Sequence, residues 1–85
     1  MLTVTHSSPD GPSTMHSVVV SSYGEGFTAH MTVGGVTHEL PLNDSGTATF
    51  NVTVIGPATH TVIVAIKDEN GEVVDADAQE YAVPG

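Results

Sequence analysis

Residues 27–40 read FTAHMTVGGVTHEL. Phe27, Ala29, Met31 and Val33 fall on one side of an extended chain, and Thr28, His30 and Thr32 fall on the other. That period of two is the mark of a strand with one buried face. Gly34–Gly35 interrupts the run with two residues that accept positive φ at no steric cost, which two-residue hairpin turns require. The alternation resumes at Val36. Pairing Val33 with Val36 then sets Met31 opposite His38 and His30 opposite Glu39. Pro41 has no N–H to give a ladder, so it ends the second strand and predicts that this strand lies at a sheet edge.

The same grammar extends both ways. Toward the C-terminus, the Asn43–Gly46 turn precedes a strand over residues 47–55. It carries Ala48, Phe50, Val52 and Val54 inward and Thr47, Thr49, Asn51 and Thr53 outward. Gly56–Pro57 breaks it. Residues 59–67 form the most apolar run and predict a central strand with Val62, Val64 and Ile66 in the core. Asp68–Gly71 is a hairpin loop with Asn or Gly in the left-handed position. The last strand, over residues 72–83, falters in alternation near Gln79–Glu80, where a bulge or a change of sheet is expected. Toward the N-terminus, residues 15–22 predict a strand with Val18 and Val20 inward, preceded by a Pro- and Gly-bearing loop and a first strand over residues 2–6. About seven short strands within 85 residues predict one all-β domain over 1–85, an immunoglobulin-like β-sandwich of antiparallel strands in two sheets. Without cysteine or tryptophan, the disulfide and buried indole of antibody domains are excluded.

The second half of the chain, VGGVTHELPLNDSGTATFNVTVIGPATHTVIVAIKDENGEV over residues 33–73, resembles the bacterial immunoglobulin-like (Big-type) domains of surface and phage virion proteins. The order carries the resemblance: a Gly-Gly hairpin, a short acidic turn, SGTATF, GPATHTV, then an apolar strand ending in an acidic Asn-Gly loop. In such domains a tyrosine or histidine often sits just after the turn into the sixth strand; here His60 holds that place. Residues 1–32 fit the expected early strands without a distinctive motif. The resemblance implies a non-catalytic module, either a spacer or adhesion unit of a bacterial surface protein or a domain decorating a phage capsid or tail.

Charge narrows the partners. Lys67 is the sole cation against ten acids, a net charge of −9. Nucleic-acid affinity comes largely from Lys and Arg neutralising phosphates, so neither nucleic acid nor an anionic membrane is an expected partner. No apolar run approaches a membrane span, and the first residues have neither the basic nor the apolar region of a signal peptide. These features fit a free-standing, unexported open reading frame, with a piece of a longer protein as the alternative.

Candidate chemistry is sparse. His6, His16, His30, His38 and His60 show no HxH or HExxH spacing, and they read as surface or half-buried side chains without a metal. His60 reads as a hydrogen-bonder at its turn, in the role of the corner tyrosine of related sandwiches. Asp68, Glu69, Glu72, Asp75, Asp77 and Glu80 crowd the last stretch but lack the alternating ligands of a calcium loop. Asp75 and Asp77 share a strand face, where charge discourages edge-to-edge pairing. No nucleophile elbow occurs, and a chain this small offers little room for a pocket. Asn51–Val52–Thr53 matches a glycosylation sequon, which in a bacterial or phage protein would be chance. No catalytic, cofactor or metal residue is expected. The expectation is a non-enzymatic virion protein that binds a major capsid protein or another virion protein. Residues 1–13 are the expected attachment arm, and the alternative is a module at the bacterial cell surface.

Overall fold

Val62, Val64 and Ile66 meet Phe50, Val52 and Val54 across the middle of the molecule, because each set occupies the inward positions of an alternating strand. The computed structural model describes residues 1–83. Its elements are β1 (Thr3–Ser7), β2 (Thr14–Val20), β3 (Thr28–Val33), β4 (Val36–Pro41), β5 (Thr47–Thr53), β6 (Ala58–Lys67) and β7 (Val73–Val83), with no helix among the described residues. Two antiparallel sheets face each other, one ordered β1-β2-β5 and the other β4-β3-β6-β7. The chain changes sheet between β2 and β3, between β4 and β5 and between β5 and β6, as in immunoglobulin-like sandwiches.

The opening hairpin forms as its sequence predicts. Val33 pairs with Val36, Met31 with His38 and His30 with Glu39. Gly34 and Gly35 take φ of 60° and 79°, the left-handed values of a primed turn. β4 is an edge strand and β6 is central. In the loop after β6, Gly71 takes the left-handed position, and Asp68 Oδ1 accepts the Asn70 and Glu72 N–H groups at 2.9 and 3.0 Å. Asn43 Oδ1 does the same for Ser45 and Thr47 before β5.

Two expectations are corrected. Val18 and Val20 do not point inward: Met15, Ser17 and Val19 do, and Val20 is 45% exposed. The run Val18-Val19-Val20 carries no parity of its own, so the serines suggested the wrong face. A fully buried Ser17 is tolerated because its hydroxyl is hydrogen-bonded to His6 Nδ1 at 2.7 Å. The second correction concerns β7. Its ladder with β6 is unbroken from Ala58↔Val83 to Ile66↔Asp75, and the register shifts only between Ile66 and Lys67, beside the hairpin loop. Alternation falters at Gln79–Glu80 because the half-buried positions of β7 are Asp75, Asp77, Gln79 and Tyr81, not because the strand bulges there.

Candidate functional site

A two-sheet sandwich has two flanks where strand edges meet, and here they differ in chemistry. On the first, β1 lies beside β7. The Gln79 side-chain amide donates to Val4 O at 3.1 Å and to Asp77 Oδ2 at 2.8 Å. The hydroxyls of Ser8 and Tyr81 share a hydrogen bond, and the His6 and Tyr81 rings meet edge-on with centroids 5.6 Å apart. Val4 O is on the outer edge of β1, so the Gln79 side chain takes the place of a missing strand. Asp75 Oδ1 accepts the N–H of Ala76 at 2.9 Å. Burial lowers the pKa of His6 from its ordinary value, with the Asp77 carboxylate pulling the other way. Its Nε2 is buried without a partner.

On the second flank, β4 lies beside β5. A groove of about 490 Å³ opens there. Val33 and Val36 line one wall, Val52 and Val54 the other, and Ile55 and His60 close one end. His38 also reaches it, from the face of β4 opposite to Glu39. Ile55 is 80% exposed at this end. The backbone of β5 has a fixed parity. Val54 N donates to Ser13 O at 2.9 Å, continuing the pairs Val52↔Met15 and Phe50↔Ser17. Antiparallel ladders alternate, so Thr49, Asn51 and Thr53 turn their N–H and C=O groups away from β2. Among the described residues, none of these groups has a hydrogen-bond partner.

The facing edge of β4 is different. Leu42 N donates to Phe27 O at 3.0 Å, which continues the Val33↔Val36 ladder and turns Thr37, Glu39 and Pro41 outward. Pro41 has no N–H and Glu39 is charged, both of which discourage a further strand on that edge.

The histidines are dispersed. His30 Nδ1 lies 3.1 Å from Glu39 Oε1, as the hairpin register predicts. His60 Nε2 lies 2.7 Å from Ile55 O, so this nitrogen carries the proton and donates across the turn, as expected of it. His16 Nδ1 lies 2.7 Å from Asn51 Oδ1 on the solvent face. Among the described residues, no three His, Asp or Glu side chains are grouped to hold a metal ion. Residues 1–13 do not form one free segment: Thr3–Ser7 is paired with β2, and Val4 is buried. The groove between β4 and β5 was not legible in the sequence. The signals pointing toward it were Pro41, which marks β4 as an edge, and the Thr-rich face of β5.

Comparison with known proteins returns no family model, no curated protein and no solved structure that matches this chain.

Proposed function

We propose that this chain is a non-enzymatic structural protein, an immunoglobulin-like domain that decorates a bacteriophage capsid or tail by binding a virion protein. The observation that carries the binding role is the open flank. It combines an apolar groove with unpaired backbone on a molecule of net charge −9. Apolar clefts with a few polar groups take ligands, and a surface with one cation favours neither phosphate nor anionic lipid. The capsid as destination rests on the resemblance of residues 33–73. Cryo-electron microscopy of the assembled particle tests it: density for the domain on the shell is expected, and its absence from shell and tail would overturn the proposal.

The second reading is a spacer or adhesion module of a bacterial surface protein, and one observation favours it. Gln79 meets Val4 and Tyr81 meets Ser8, so β1 and β7 run in the same direction. The chain therefore enters at one end of the sandwich and leaves at the other, the geometry that tandem arrays use. Capsid and portal genes beside this one support the first reading; further repeats encoded in the same open reading frame support the second.

A further inference from the structure

The sandwich has four strand edges, and three of them are blunted by different devices. β1 has Val4 O capped by Gln79. On β7, Asp75 caps the N–H of Ala76, and Asp75 and Asp77 keep charge along the strand. β4 turns Pro41 and Glu39 outward. Proteins use such devices to stop unwanted strand pairing. β5 has none of them. Thr49, Asn51 and Thr53 turn unpaired backbone groups outward, neither proline nor charge interrupts the strand, and the apolar groove runs beside it.

We infer that β5 accepts a further strand: an extended segment of a partner protein, with apolar residues at alternate positions and Lys or Arg between them. This rests on the reading of the chain as a protein-binding domain. Three features specify the occupant. Unpaired groups on every second residue of β5 require an extended backbone, about 4.8 Å away, to satisfy them. A strand in that place directs alternate side chains toward Val36, Val54 and Ile55, so those side chains must be apolar. The remaining positions lie on the outer face beside the uncharged Thr49, Asn51 and Thr53, where the long-range field of a molecule of net charge −9 favours Lys and Arg and opposes a second copy of itself. The groove, about 490 Å³, is in the range that holds a few apolar side chains.

The test uses the whole chain and a synthetic peptide of alternating valine and lysine, with the same peptide N-methylated on alternate nitrogens as control. Amide hydrogen exchange read by NMR should slow at least about tenfold at Thr49, Asn51 and Thr53 when the peptide binds, because their N–H groups become ladder donors. Thr53→Pro removes one outward donor and should weaken binding by about tenfold, as should N-methylation of the peptide. Should Thr53→Pro fail to fold, Thr49→Pro and the exchange map of the unaltered chain decide. Protection confined to β4, to β7 or to residues 68–80 would overturn the inference. So would equal affinity for both peptides, no binding at all, or pairing of β5 with a second copy. A domain seen on the particle without strand addition at β5 would overturn this inference alone and leave the protein-binding reading intact.

Discussion

Where β1 lies beside β7, the gap between the sheets is filled with polar side chains that hydrogen-bond to one another and to the backbone. Where β4 lies beside β5, a groove remains, lined mostly by apolar side chains with His38, His60, Asn51 and Thr53 among them. The difference follows from what occupies the inward positions of the edge strands. β7 puts Asp77, Gln79 and Tyr81 there, which reach across to β1. β5 and the residue after it put Phe50, Val52 and Val54 there, which complete the core. One flank therefore contributes to the stability of the domain, and the other is the surface that we propose a partner occupies. Substitutions should separate these two roles.

The largest effect is expected at Gly46, which immediately precedes β5. It has φ of 75°, and an added Cβ would press into the carbonyl oxygens of Ser21 and Tyr23. Neither backbone can yield cheaply, so Gly46→Ala should cost about 3 kcal/mol or more in urea unfolding and loosen the whole open flank. Next come the bridges of the closed flank. Tyr81→Phe removes the hydroxyl shared with Ser8, and Gln79→Ala frees Val4 O. Each should cost about 1–2 kcal/mol, with faster amide exchange along β1. No change at β1 would mean that the flank is held by packing alone.

His6 links the closed flank to pH. Its folded pKa lies below the unfolded value, so the unfolded chain binds the proton more readily. Stability from this group is complete above about pH 6.5 and declines as pH falls below it, until the folded-state imidazole is also protonated. Thermal unfolding between pH 7.5 and 5 should show the decline, and His6→Gln should reduce it; an unchanged slope in the variant would remove His6 from the account. The smallest effect on stability is expected on the open flank. Ile55→Thr and Val36→Thr alter exposed side chains and should change unfolding by no more than about 0.5 kcal/mol. The same variants should weaken binding of the valine–lysine peptide, which checks that this flank serves a partner.

The elements were legible where pattern and turn chemistry agreed. Residues 27–40 contain both an unambiguous alternation and a Gly-Gly turn, so strand, register and the His30–Glu39 pair were all readable. β2 was misread because three consecutive valines fit either face, and its inward Ser17 is acceptable only with His6 beside it, a neighbour from another strand. β7 was misread because polar inward residues look like a broken pattern until β1 is seen accepting their hydrogen bonds. The candidate site was the least legible part. Its groove is made by residues of β3, β4, β5 and the turn into β6, and nothing along the chain states which strands will lack a neighbour.

By itself the sequence determined the class of the fold, the hairpins, most of the core and the acidity of the molecule. These depend on local periodicity, on glycine and proline at turns, and on charge, all of which are properties of short stretches or of composition. Only the tertiary structure decided which strand edges are capped and which is bare. An edge is defined by the strand that is absent beside it, and that is a property of the assembled sheets rather than of any one segment.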